Sequence, residues 1–523
     1  MLIKIVVIFI LITITEKIIL LFQYKITKAG FDHFFHFALI QDIKKNRNKF
    51  VSKTSSYIIY DNFAYPQFYH WLFSFLPEKF IREKYNKVGQ FINFLTLATF
   101  VFFAYKVYDF LDIQISRELF VLYSGLAFTL SPFNYLLWNA KNRGLSVRGF
   151  GLMLGFLYLY CIVWLNLYNN NWFYLPIYFL VFMILLSSQF TFQFVLLASP
   201  LLAIFYKDIF LIFPPFVAAL LYLIFFRKIA ISFFKGQYYH KKIWIKYIAK
   251  NDILKRRFSI YRDFIYEFWK KKDIKYIIDN PIVAIVLGFP FLSVLVFFIA
   301  KNFIIKSTEF TLTGNILVLI IPVFVALIAF LVTSFRPTRF FGEPERYVEF
   351  ALPLFSILAV SYLQNFIWLF VVLICFSFVY LIYQYSLFGF NKEETKFHIN
   401  IENIKKIISQ NSQKDFYLTF SNNISVLNFL IDNDKFKILS PNITSLYTGS
   451  VHIKDIYVKG FPYVNTSVLI PLIKEFNIEW FILETENLKK DDFELLDKKN
   501  LIFEKVHQED LFVIYKISKN AKS

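Results

Sequence analysis

Asp32 and His36 stand four residues apart in the run GFDHFFHFALIQDIKKN, Gly30 to Asn46, with His33 between them. That spacing is near-helical, so Asp32 and His36 project from one face. A carboxylate placed there can act as general base on an acceptor hydroxyl or amine, and an imidazole beside it can orient it, bind a phosphate or ligate a metal. A solvated acid beside two surface histidines explains the same residues equally well, and Asp-His-x-x-His alone is a weak metal motif. Further on, YDNFAYPQFYHWLFSFLP from Tyr60 to Pro77 carries Asp61 and His70. Pro66 restricts the residue before it and starts a helix whose aromatics suit a headgroup zone. Asp61 and His70 can join a site, but a helix cap for Asp61 and an interfacial ring for His70 are the simpler roles.

Two arginine-bearing segments have a different chemistry. NAKNRGLSVR, Asn139 to Arg148, puts Lys141, Arg143 and Arg148 at the mouth of an apolar run. Charges so near hydrocarbon are costly unless they snorkel or meet an anion. A lipid-linked phosphate or pyrophosphate is such an anion, and the planar guanidinium fork matches it; ordinary basic anchoring competes on equal terms. RPTRFFGEPERYVEF, Arg336 to Phe350, combines Arg336, Arg339 and Arg346 with Glu343, Glu345 and Glu349 around a turn shaped by Gly342 and Pro344. So many charges between two apolar runs point to an organised polar site, against the alternative of an internally paired structural turn.

The elements that must position these residues are membrane helices. Apolar runs of spanning length lie at about 2–22, 91–108, 118–138, 149–167, 172–188, 189–206, 209–226, 281–300, 314–334, 349–363 and 365–385, about eleven in all. The first has no small-residue cleavage pattern after it and is expected to be an uncleaved anchor. With 57% hydrophobic and 18% charged residues in 523, and a mean hydropathy of +0.51, the composition excludes a soluble multidomain chain. Function is thereby restricted to transport, signalling or chemistry on something held in lipid. The net charge of +20 sits mostly between apolar runs, so anionic headgroups rather than nucleic acid are its counterpart. Cys161 and Cys375 both fall inside apolar runs, which argues against a disulfide framework.

The pattern predicts an α-helical polytopic domain over 1–390, with a long first loop at 23–90 and a basic loop at 227–280, and a soluble α/β domain of about 130 residues over 391–523. In the latter, Phe416 to Phe420, Phe436 to Leu439, Trp480 to Leu483 and Leu511 to Ile517 read as strands, and Ser425 to Ile431 and Val468 to Phe476 as helices. The 227–280 loop holds fifteen Lys/Arg against five Asp/Glu, which favours the cytoplasm, whereas counting spans from a cytoplasmic N-terminus puts it outside. A chain break at Ser187, Ser188, Gln189, Thr191 and Gln193 would resolve the conflict through a re-entrant segment.

The order of parts resembles the GT-C superfamily of membrane glycosyltransferases, which use polyprenyl-phosphate-linked sugars. The likeness lies in a first span, an outer loop opening on Asp32 beside aromatics and histidines, the phrase AYPQFYHWL (Ala64 to Leu72), the arginine-bearing entry NRGLSVRGFG (Asn142 to Gly151), GEPERY (Gly342 to Tyr347) and a terminal domain. Two departures stand out: Gln67 replaces the second proline of the YPP-type phrase, and His33 follows Asp32 where many members have adjacent carboxylates. No WWDYG-like signature is present, which argues against an oligosaccharyltransferase.

The resemblance implies transfer at the extracytoplasmic face from a polyprenyl-phosphate sugar to a glycan, lipid or protein acceptor. Asp32 would be the base, His36 its orienting partner, and His33, Asp61, Arg143, Arg148, Arg339, Glu343, Glu345 and Arg346 the substrate-binding set. No cofactor is required by this reading, and a divalent cation stays open. A flippase or transporter of lipid-linked glycans, or a non-catalytic subunit of a glycan assembly complex, are the alternatives. The charges gather in loops rather than along a route in matched halves, which favours the enzyme.

Overall fold

The computed structural model describes residues 2–26, 33–51, 65–135, 145–246, 281–293, 314–335 and 341–388, with shorter pieces at 296, 338, 406–407, 410, 416–419, 437–439, 479–484, 503–508 and 512–517. In chain order the helices are α1 (Leu2–Ile26), α2 (His33–Lys45), α3 (Phe68–Ser74), α4 (Glu78–Val107), α5 (Arg117–Thr129), α6 (Val147–Tyr168), α7 (Tyr174–Ser187), α8 (Gln189–Tyr206), α9 (Pro214–Phe225), α10 (Arg227–Lys246), α11 (Pro281–Gly288), α12 (Gly314–Ser334), α13 (Glu345–Val348), α14 (Leu352–Leu363) and α15 (Ile367–Phe388). The strands are β1 (Phe416–Thr419), β2 (Lys437–Leu439), β3 (Trp480–Glu484), β4 (Phe503–Gln508) and β5 (Phe512–Ile517). The chain divides into two compact units, one of 1–29, 86–225 and 252–390, the other of 30–85, 226–251 and 391–523.

Five stretches among the described residues are helical, long and apolar enough to cross a membrane: Glu78–Phe110, Val147–Tyr168, Gln189–Tyr206, Gly314–Ser334 and Glu345–Leu363. The apolar helices at Asn171–Ser187, Pro214–Phe225 and Ile367–Tyr383 are shorter. The chain is a membrane protein, and five of its described helices are long and apolar enough to cross where the sequence has about eleven apolar runs. Among the described residues of the 118–138 run, α5 stops before Pro132 and a 3-10 turn follows at Pro132–Tyr135; in the 281–300 run, α11 ends at Gly288 and the chain is helical again at 290–293.

Close packing in the first unit depends on small residues. Gly151 and Gly155 lie one turn apart on α6, and a Cβ on Gly151 would stand 2.5 Å from Ser188 Oγ, one on Gly155 2.6 Å from Phe350 Cε1. Such small-x-x-x-small spacing lets backbones approach where lipid supplies no hydrophobic drive. Phe350 then stacks on Phe194 of α8, with ring centroids 4.0 Å apart and planes 9° apart. Ile19 and Leu20 of α1 close a separate cluster with Leu130 and Leu381.

The break expected near 187–193 is present. Ser188 has extended backbone (φ −141°, ψ 111°), ends α7 and caps α8, with its side chain accepting from the Thr191 amide. The 14 residues of α7 rise only about 21 Å, short of the ~30 Å hydrocarbon core.

In the second unit α2 packs on α3. Phe37, Ala38, Leu39, Ile40 and Ile43 are buried on α2, and Tyr69 and Phe73 on α3. Arg47 and Asn48 take left-handed backbone (φ 54° and 55°) and end α2, with the Asn48 amide donating to Ile43 O. Trp71 Nε1 donates to the Asn48 carbonyl at 3.0 Å and Lys44 Nζ to that of Leu76 at 2.8 Å, which ties the two helices together. The strands form one mixed sheet in the order β2-β1-β3-β5-β4, parallel on the β1 side and antiparallel on the β5 side. Trp480, Val513, Ile514 and Tyr515 are buried in it, and the Lys516 ammonium, paired opposite Trp480, lies 5.8 Å from the Trp480 ring centroid. β4 was not expected from the sequence; the helices expected at 425–431 and 468–476 lie outside the described residues.

Candidate functional site

The first unit gathers the charged residues of two segments that are far apart in sequence. Arg148, at the start of α6, donates from Nη2 to Glu349 at 2.7 Å, and Glu349 is fully buried. Arg346 pairs with Glu343, and both act electrostatically on Arg148. The Arg346 guanidinium also stands 6.0 Å from the Phe190 ring centroid. The local backbone explains why these side chains meet. Gly342 takes φ +100°, a conformation that suits glycine, and turns the chain into α13, while the Tyr347 hydroxyl donates to the Phe341 carbonyl at 2.9 Å to close that turn. Glu345, Tyr347 and Glu349 are buried on the helical run that follows.

A carboxylate taken out of water is tolerated only with compensation, and Arg148 supplies it. One guanidinium offers five donors. Nη2 is used on Glu349, and Nε of Arg148 has no hydrogen-bond partner among the described residues. Glu349 thus fixes the orientation of a guanidinium that still has donors to offer an anion.

The second unit builds a buried histidine pair. His36 on α2 and His70 on α3 are buried, and His36 Nδ1 lies 2.9 Å from His70 Nε2. Tyr65 and Tyr69 surround the pair, with ring centroids 6.0 and 6.2 Å from His36. Burial first, and the neighbouring His36 second, hold the His70 imidazole well below its ordinary 6.5, while the Pro66 backbone acts in the opposite direction. Among the described residues no three His, Cys, Asp or Glu side chains gather as a metal site.

Gln67 has a structural role beside this pair. It is buried, its Nε2 donates to the Val51 carbonyl at 2.6 Å and its Oε1 accepts from the Val51 amide at 2.8 Å. A proline at that position could make neither bond.

ArnT from Cupriavidus metallidurans, solved bound to undecaprenyl phosphate, matches with a TM-score of 0.54 over 99% of this chain and 99% of that chain, at 10% sequence identity. The chain has the ArnT fold. No family profile and no curated protein matches the sequence.

Within the ArnT-like fold the expected residues divide plainly. Arg148, Glu343 and Arg346 meet in the first unit; Glu345 is buried on the same short helix. His36 is buried in the second unit. Asp32, Asp61, Arg143 and Arg339 lie outside the described residues, as does the side chain of His33, which opens α2. Two residues beyond the expected set belong to these centres. His70, expected as an interfacial ring, is fully buried against His36. Glu349 is the buried partner of Arg148, far off in sequence, a pairing that no local spacing announces.

Proposed function

We propose that the chain is an integral membrane glycosyltransferase that moves a sugar from a polyprenyl-phosphate-linked donor to an acceptor at the extracytoplasmic face. The observation that carries this reading is the fold it shares, over 99% of both chains, with a protein solved bound to undecaprenyl phosphate. The chemistry of the first-unit cluster agrees with it, because an oriented guanidinium with donors left over suits a phosphate whose negative charge grows as it leaves.

In this reading Asp32 removes the proton of the acceptor hydroxyl, with His36 as its partner. The acceptor oxygen bonds to the anomeric carbon as the bond from that carbon to the phosphate oxygen breaks. Direct displacement inverts the anomeric centre. Arg148 and Arg346, with Arg143 and Arg339, stabilise the departing polyprenyl phosphate, and Glu343 and Glu345 hold the arginines and the sugar hydroxyls in place.

Titration of the bilayer-reconstituted protein with undecaprenyl phosphate tests the donor side. Saturable binding that is absent with undecaprenol, and weakened about tenfold or more in Arg346→Met, is expected. Equal binding of the alcohol, or an unchanged Arg346→Met variant, would remove the lipid phosphate from the account.

A further inference from the structure

Two imidazoles that share one hydrogen bond leave a single choice, namely which ring gives the hydrogen. His36 Nδ1 and His70 Nε2 are 2.9 Å apart, and both rings are buried. Suppose His70 gave it through Nε2. Its Nδ1 would then be a bare lone pair, fully buried, with the Pro66 carbonyl, itself an acceptor, acting on the ring. Suppose instead that His36 gives it through Nδ1. His70 then carries its hydrogen on Nδ1, where the Pro66 carbonyl, an acceptor, acts on the ring. The second arrangement sets a donor against an acceptor and avoids two facing lone pairs, which decides between them. Among the described residues the other titratable groups against the pair are Tyr65 and Tyr69, whose ring centroids lie 5.7 and 5.3 Å from that of His70.

We infer that His70 is a positioning residue that holds His36 as an Nδ1–H donor and so makes His36 Nε2 the nitrogen that receives a proton. This matches the general arrangement in which a base is oriented by a third group on its far nitrogen. The consequence for catalysis rests on the glycosyl-transfer reading. There the proton lost by the acceptor hydroxyl, directly or through Asp32, ends on His36 Nε2, giving an imidazolium whose Nδ1–H His70 still holds. The electron pair of the broken sugar–phosphate bond leaves with the polyprenyl phosphate.

The tautomer can be read without any substrate. Protein labelled with ¹⁵N-histidine, reconstituted in bilayers and studied by solid-state NMR near neutral pH, gives the ring-nitrogen signals, assigned by their loss in His36→Gln and His70→Gln. In the wild type the His36 signals should be pyrrole-like at Nδ1 and pyridine-like at Nε2. His70→Phe should interchange them, whereas His70→Gln, whose amide oxygen can accept from Nδ1–H, should keep the wild-type pattern. A wild-type His36 with its hydrogen on Nε2 would overturn the inference whether or not the Phe variant folds, and so would an unchanged pattern in a folded Phe variant. In transfer assays His70→Phe should lower kcat on the order of a hundredfold with KM unchanged, with partial recovery in His70→Gln. Absence of transfer in the wild type would count against the glycosyltransferase reading and leave the tautomer result standing.

Discussion

The arginine–glutamate cluster of the first unit and the histidine pair of the second solve opposite problems of burial. In the first, charge is kept and compensated: Arg148 neutralises a fully buried Glu349, and Arg346 pairs with Glu343. In the second, charge is kept out, because burial and mutual proximity hold His70 neutral. The difference teaches which chemistry each can serve. A compensated guanidinium can stabilise charge that develops on something else, whereas an imidazole held at one nitrogen by its neighbour can take up a proton at the other. Glycosyl transfer from a phosphate needs both abilities.

The comparison is broken most severely at Glu349. Glu349→Ala leaves the Arg148 charge buried without its partner and should cost about 3–5 kcal/mol, seen as a large drop in the thermal midpoint of detergent-purified protein. The double variant Arg148→Met/Glu349→Leu should recover most of that loss and still fail to bind undecaprenyl phosphate. Recovery of both would make the pair merely structural. Next in size is Gly155→Val. The added side chain must displace the Phe350 ring at 2.6 Å, at a cost of about 1–3 kcal/mol by the same measurement.

The histidine side is sharpened by pH. His70 is held below its ordinary 6.5, so the unfolded chain takes up that proton first as pH falls. The stabilisation is therefore fully present above about pH 6.5 and declines below it. Thermal midpoints of the wild type should fall with acidification through that range, and those of His70→Phe should fall less. The smallest effect is expected at the exposed Arg82–Glu78 pair, where Arg82→Ala should change stability by no more than about 0.5 kcal/mol.

Much of the membrane part was legible in the sequence, because hydrocarbon demands long uncharged runs and these are easily seen. The charged loops at 139–148 and 336–350 stood out for the same reason, and Arg148 and Arg346 do meet. What the sequence hid depends on tertiary partners. His70 sits among aromatics that suit a membrane interface equally well, and only its contact with His36 distinguishes the two roles. Gln67 reads as a flaw in a proline phrase until its double bond to Val51 is known. β4, FEKVHQ, is the outer strand beside β5, with Glu504, Lys505 and Gln508 exposed, and a strand solvated in this way carries no apolar run to betray it. The chain break at Ser188 was visible because a serine that caps one helix while ending another leaves a polar gap in an apolar stretch.

The central claim is tested most directly by measuring the release of free undecaprenyl phosphate from a mixed pool of undecaprenyl-phosphate sugars by the reconstituted protein, in the presence of a membrane extract as the source of acceptor. Wild-type protein should release it and Asp32→Asn, equally folded in the bilayer, should not. No release by the wild type, or undiminished release by Asp32→Asn, would contradict the account.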